Sequence, residues 1–419
     1  MRNLLQHIFG RFISKRNNAF SNCFKCYDRQ IKGLRKAKKI RVCFSVIYDS
    51  VFPAEAVFNT MMNDDYFEPF ILVIPDTLRG EDNMFYQMKK TYETLSAKYK
   101  NVFMAYDENN DDFTDLHDKM DVCVFANPYD FMTKSIYSVK YLSQFALCVH
   151  IPYSYTGHLT YNTKIYASDE YSTFWRIFVE NKDTYNLIKK YKKSKINNLR
   201  ITGYPKMDAL EQYKRKNKQT QIIITPHHTI RNIPGSLNIS QFLRFSDYYL
   251  ELPKKYPDVN FIFRPHPLLF VNLAKDDMWG KEKLKKYLDR LTSFPNVVYQ
   301  EGGDYFQTFV DSDAIINDSG SFMVESFYVS MPQCFLLKDE NEINEEFTDF
   351  GRQVLGHVYK AYTEQDIDNF IKNVVLNKKD LMKQKRQDFA EKSIKTNYPN
   401  TTTTIITMIK NTIKGCTDE

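Results

Sequence analysis

From residue 40 onward, short apolar runs alternate with longer amphipathic stretches. Ile40–Tyr48 reads as a buried strand, 52–62 as a helix, and 69–74 as a second strand stopped by Pro75. A charged helix over 81–99 precedes strands near 102–106 and 121–125, and a helix over 129–146 leads into a strand at 147–151. The second half repeats this order. Strands are expected at 198–202, 221–225, 259–264, 296–299, 313–316 and 333–337. Helices are expected near 206–215, 239–254, 280–292, 304–310, 320–329 and 365–375. Strands that alternate with helices imply parallel sheets covered on both faces. The lysine-rich stretch 189–195 reads as a linker between halves. The pattern therefore predicts an α/β chain of two doubly wound, Rossmann-like domains, 40–197 and 198–377, facing a central cleft. A basic segment, 1–39, precedes them, and the last helices, over 378–419, are free to cross back.

Charge changes the picture at one end only. The chain of 419 residues carries a formal net charge of +7. Residues 1–40 alone hold eleven Lys and Arg against Asp28, so the rest is slightly acidic. Leu4, Leu5, Ile8, Phe9, Phe12 and Ile13 recur at helical spacing beside Arg11, Lys15 and Arg16. A basic amphipathic helix of this kind suits an anionic membrane surface. The acidic remainder argues against nucleic acid as a partner. No run of apolar residues is long enough for a spanning helix. The seven cysteines are scattered and odd in number, which fits a reducing compartment, and the lone Cys23/Cys26 pair lacks the second pair a zinc site needs.

Ligands of open α/β sheets bind beyond the C-terminal ends of strands, and there the unusual residues gather. Five of the eight histidines, His150, His158, His227, His228 and His266, sit at or just after expected strand ends. Arg264-Pro265-His266-Pro267 ends one strand. Its prolines fix the backbone, its guanidinium offers a fork for phosphate oxygens, and its imidazole can donate a hydrogen bond or move a proton. Asp318-Ser319-Gly320-Ser321 ends another, with Glu325 following, and its backbone N–H groups and hydroxyls suit a phosphate. The ordinary reading of both segments is an ion pair and a helix cap; their co-occurrence favours an anion. His227 and His228 close a third strand, and Gly203-Tyr204-Pro205-Lys206-Met207-Asp208 a fourth. No Gly-x-Gly-x-x-Gly, Walker A, Gly-x-Ser-x-Gly or His-Glu-x-x-His pattern occurs. No metal site and no cofactor are expected, since Asp311 and Asp313 read as a turn.

At these residues the sequence resembles the CDP-glycerol glycerophosphotransferases, the teichoic-acid primase and polymerase family of GT-B type. The resemblance covers about 198–340. It rests on Gly203–Asp208 with Lys206 in place of an Arg, on Arg264–Pro267, on Asn317–Ser321 through Glu325, and on Met331-Pro332. The family's Trp-His-Gly has no counterpart; the corresponding strand end reads Ile151-Pro152-Tyr153, and the base falls to His158 or His150. The resemblance implies a peripheral enzyme at the cytoplasmic face of the cell membrane. It would move a glycerol-phosphate-like unit from a CDP-activated donor to a hydroxyl of a cell-surface polymer or lipid-linked acceptor. Arg264, His266 and Ser319–Ser321 would hold the diphosphate, and Asp318, Glu325, His227, His228, Tyr204 and Lys206 would complete the donor side, with His266 a further catalytic candidate. The alternatives are a glycosyltransferase of the same architecture using a nucleotide sugar for capsule or lipopolysaccharide, a silent scaffold subunit, and a nucleotide-sugar epimerase.

Overall fold

The computed structural model describes residues 20–233 and 237–416. Its described residues divide into two compact units, one of 20–153, 163–208 and 396–416, the other of 154–162, 209–233 and 237–395. The apolar repeat Leu4–Ile13 lies outside the described residues. Residues 20–34 form a helix, and its Tyr27 and Ile31 pack into the core of the first unit, with the Tyr27 hydroxyl donating to Thr173 O at 3.0 Å.

The first unit is built on seven parallel strands. They are β1 (Ile40–Val46), β2 (Phe67–Val73), β3 (Val102–Met104), β6 (Val122–Phe125), β7 (Leu147–His150), β8 (Arg176–Val179) and β9 (Leu199–Ile201), with a small hairpin of β4 (Tyr106–Asp107) and β5 (Asp112–Phe113). The sheet order is β3-β2-β1-β6-β7-β8-β9. Every residue of β6 and β7 is buried, as expected of strands covered on both faces. Helix Thr401–Lys414 returns to this unit, and its Ile405, Ile409 and Ile413 enter the same core.

The second unit has six parallel strands, β10 (Gln221–Thr225), β11 (Asn260–Phe263), β12 (Val297–Tyr299), β13 (Ala314–Asn317), β14 (Gln333–Leu336) and β15 (Tyr359–Ala361). Their order is β12-β11-β10-β13-β14-β15. Chain direction across the sheet reverses between β10 and β13, which is where such a sheet opens a ligand crevice. Among the described residues no helix is long and apolar enough to cross a membrane.

Three expectations change. Residues 198–202 do not open the second sheet; Leu199–Ile201 pairs with β8 and closes the edge of the first. The lysine stretch is not a free linker, because Lys182–Tyr191 is a helix and Lys192 Nζ donates to Ile196 O at 2.6 Å. The expected helix over 129–146 breaks into short turns and Val139–Leu142. There Asp130 and Ser138 accept the backbone N–H groups of Val139, Lys140 and Tyr141 at 2.7–3.2 Å, which caps a fresh helix start at Val139 and breaks the longer run.

Candidate functional site

The chemistry-bearing residues of the second unit meet at the ends of three neighbouring strands, β11, β10 and β13. Beyond β11 the pairing to the β10 side continues through Arg264 N–H to Ile224 O at 2.9 Å and His266 N–H to Pro226 O at 3.0 Å. The backbone thus zips the two histidine-bearing loops side by side. Rings of His228 and His266 lie 4.1 Å apart, those of His227 and His228 4.4 Å, and those of His227 and His266 5.2 Å. One ring nitrogen of each lies within 4.8 Å of the other two.

Three histidines so close invite a metal, but the hydrogen bonds of His266 and His227 make donors of those two. His266 Nδ1 accepts the Leu268 N–H at 3.1 Å, so the neutral ring carries its proton on Nε2. The Thr229 N–H donates to His227 Nδ1 at 3.4 Å, with the Thr229 hydroxyl 2.9 Å from the same nitrogen, so Nδ1 serves as an acceptor and the ring proton again sits on Nε2. Burial holds His266 down to about 3 and His227 well below its ordinary value, so both are neutral near pH 7. A cation would need lone pairs that these Nε2–H groups do not offer. An oxyanion would meet two N–H donors.

Arg264 is 7% exposed. Its guanidinium donates to Gln300 Oε1 at 3.3 Å and to Gly303 O, and lies 5.5 Å from the Tyr305 ring centre. Tyr305 in turn donates to the buried carboxylate of Glu325. Burial lowers the Arg264 pKa from a value so high that the charge stays. Glu325 therefore acts on the site through Tyr305, and Tyr305 through the plane of the guanidinium.

Asp318 is fully buried, and its two oxygens accept the backbone N–H groups of His227 and Gln241, each at 2.5 Å. It ties the end of β13 to the His227 loop and to the start of helix Phe242–Lys255. Burial raises its pKa to about 7 in spite of those bonds. Ser319, Gly320 and Ser321 follow as a partly exposed turn, and among the described residues neither serine hydroxyl has a protein partner. Asp318→Ala is expected to leave two buried N–H groups unsatisfied at about 1–3 kcal/mol each, which a denaturant titration would read as a fall in midpoint. An unchanged midpoint would show that the loops do not depend on the carboxylate.

His158 follows the last strand end expected to supply a base, yet residues 154–162 pack within the second unit. Thr348 holds them, its N–H donating to Gly157 O at 2.9 Å and its hydroxyl to Thr156 O at 2.9 Å. Gly351 must be glycine because a Cβ there would strike Gly157 O. The His158 ring lies 4.5 Å from the Phe347 ring and against Gly320, where a Cβ would come within 3.0 Å of its Nε2. Burial pulls His158 down to about 4, against a backbone hydrogen bond at Glu346 that raises it.

The other named residues belong to the first unit. His150 is buried at the end of β7, with Nδ1 3.1 Å from Phe125 O and its ring stacked on Phe174 at 5.2 Å; burial lowers it to about 4. Tyr204 is buried and donates to Tyr153 O at 2.6 Å, and Lys206 sits part-exposed on the following turn. The rest of that motif is structural. Gly203, at φ +96°, lies where a Cβ would strike Thr396 O, and Asp208 accepts the Thr402 N–H at 2.6 Å. The segment thus anchors the returning helix Thr401–Lys414. Sequence reasoning missed Tyr305, Gln300 and Thr348, whose only signal was a position in loops after β12 and β14.

No family model matches the chain, and no curated protein matches it. Solved structures do. The wall teichoic acid polymerase TagF is 14% identical with a TM-score of 0.60, over 99% of this chain and 97% of that one. The UDP-GlcNAc 2-epimerase from Neisseria meningitidis, solved with UDP-GlcNAc, is 15% identical with a TM-score of 0.54, over 89% and 100%. The S. aureus MnaA–UDP structure is 14% identical with a TM-score of 0.54, over 90% and 97%. Identities this low speak for the fold alone, and the chain has a GT-B-like α/β fold with two parallel sheets.

Proposed function

We propose that this chain is a GT-B-type transferase that takes a nucleotide-activated donor, of the CDP-polyol class, and passes a glycerol-phosphate-like unit to an acceptor hydroxyl in cell-surface polymer synthesis. The observation that carries the reading is the placement of a buried arginine, two imidazole N–H donors and two serines at the ends of the neighbouring strands β10, β11 and β13. That set complements a diphosphate, and charge-assisted donors are the strong ones. The likeness to TagF, a wall teichoic acid polymerase solved with CDPG, supports the donor class.

In this reading Arg264, His227, His266 and the Ser319–Ser321 turn hold the diphosphate, and His158 beside Gly320 receives a proton. The acceptor oxygen attacks the distal phosphorus as its proton passes to His158; the bond to the nucleotide oxygen breaks and CMP leaves. The membrane part of the proposal rests on the charge of residues 1–40, which suits an anionic surface.

A second reading, a nucleotide-sugar enzyme, draws on the UDP-GlcNAc epimerase likeness. Calorimetry with CMP, CDP, UMP and UDP, followed by incubation with CDP-glycerol, CDP-ribitol and UDP-sugars, separates the two. Release of CMP is the expected result. Release of a nucleoside diphosphate supports a glycosyltransferase, acceptor-free turnover an epimerase, and failure of every nucleotide to bind overturns both.

A further inference from the structure

The donor residues follow the C-terminal ends of β10, β11 and β13, and the N-terminal ends of the same sheet gather positive charge. Before β10 runs Lys214-Arg215-Lys216-Asn217-Lys218, four cations without an acid, all of them exposed. After β15, residues 372–385 hold Lys372, Lys378, Lys379, Lys383 and Lys385, again all exposed, with Asp380 the only acid among them. The chain beyond residue 40 is slightly acidic as a whole, so both loops are local concentrations of charge.

One carboxylate joins them. Asp313, directly before β13, lies 3.0 Å from the Arg215 guanidinium and 3.6 Å from Lys378 Nζ. Asp311 fastens the first loop, accepting the backbone N–H groups of Lys216 at 2.5 Å and Asn217 at 2.9 Å. Two segments far apart in the chain thus share one basic face at the end of the sheet away from the donor residues.

The second loop also carries Leu381, 91% exposed, and Leu376, 41% exposed. A lone exposed leucine is ordinary, but this one is held out by its neighbours. Asp380 before it accepts the Tyr359 hydroxyl at 3.0 Å and pairs with Arg386, which is fully buried. Met382 after it donates its N–H to the Tyr359 hydroxyl at 3.3 Å. The loop's one acid is therefore turned inward, and the fixed turn presents an aliphatic side chain among lysines. Positive charge alone suits any polyanion, and the apolar member decides between them. Single-stranded nucleic acid is met by charge with aromatic stacking, whereas an aliphatic tip among lysines matches the headgroup and acyl boundary of an anionic bilayer.

We propose that this face of the second unit docks on an anionic lipid surface, with Leu381 entering the headgroup region and the cations of both loops meeting lipid phosphates. The contact is separate from the basic residues 1–40, and it holds whichever activated donor the protein takes. It leaves the donor residues, at the other end of the strands, uncovered.

Sedimentation of the full chain with phosphatidylcholine vesicles, with and without phosphatidylglycerol, tests this. Binding that requires the anionic lipid is expected. Lys216→Gln, Lys379→Gln and Lys383→Gln should each weaken it about 5-fold, an effect that fades as salt rises. Leu381→Ser should weaken it about 10-fold at low and high salt alike. Thermal melting reports that the variants fold, and should Leu381→Ser fail to, Leu381→Ala makes the same comparison. Lys281→Gln, at the start of helix Gly280–Thr292, controls for net charge and should leave binding nearly unchanged. The proposal is overturned if the wild type ignores anionic vesicles, or if either the lysine variants or Leu381→Ser bind as the wild type does. An equal loss in Lys281→Gln, or tighter binding of a single-stranded oligonucleotide than of vesicles, would overturn it as well.

Discussion

His158→Ala is expected to lower the rate of transfer to an acceptor hydroxyl by about 10²–10⁴-fold, the usual contribution of a positioned base, while nucleotide affinity persists. The imidazole is wrapped by Phe347 and packed on Gly320, at the turn whose serines are assigned to the diphosphate. Its depressed pKa, about 4, keeps it unprotonated through neutrality. A base works only unprotonated, so the acid limb of kcat/KM against pH should fall near 4 and not near 6.5. The stability sign follows from the same shift: between about pH 4 and 6.5 the unfolded ring binds a proton that the folded ring refuses, so its contribution is lost as pH falls. His158 and Asp318 pull in opposite directions there, because a carboxyl raised to about 7 gains stability from acid. Single-variant pH titrations therefore read more cleanly than the wild-type curve. Retained turnover in His158→Ala would assign the proton to another group.

Much of this arrangement is legible in the sequence because strand ends are. Apolar runs such as Gln221–Thr225 and Ala314–Asn317 are buried throughout and terminate where Pro226 and Asp318 interrupt them, so a histidine or serine just beyond is placed by the fold itself. The rest escaped sequence reasoning for two reasons, one local and one long-range. Residues 129–146 have helical composition, yet Asp130 and Ser138 take the first N–H groups of Val139–Leu142 and so start a short new helix there. Arg176–Val179 went unseen because a four-residue strand carries little periodicity. Within the Gly203–Asp208 segment the glycine and the aspartate secure a helix about two hundred residues later. Long-range contacts of that kind leave no trace at short spacing. The same holds for Tyr305, which matters through Arg264 on one face and Glu325 at its hydroxyl.

Arg264→Ala should lower kcat/KM by about 10²–10³-fold, the scale found when one preorganised donor to a developing charge is removed, and Arg264→Lys should recover little of it. A lysine keeps the charge but not the planar fork that reaches Gly303 O and Gln300 while lying over the Tyr305 ring. Truncation also frees those partners, so a fall in rate alone would not separate phosphate binding from loop support. Comparing ligands does. If the guanidinium grips the diphosphate, CDP should lose affinity in Arg264→Ala while cytidine keeps its own, and the difference should shrink as salt screens the charge in the wild type. If Arg264 only braces the loop after β12, cytidine and CDP should weaken together, and the salt dependence of the wild type should survive in the variant. The first outcome is the one the proposed donor site predicts, because Arg264 is a largely buried charge at the end of β11, whose loop is hydrogen-bonded beside the His227 loop.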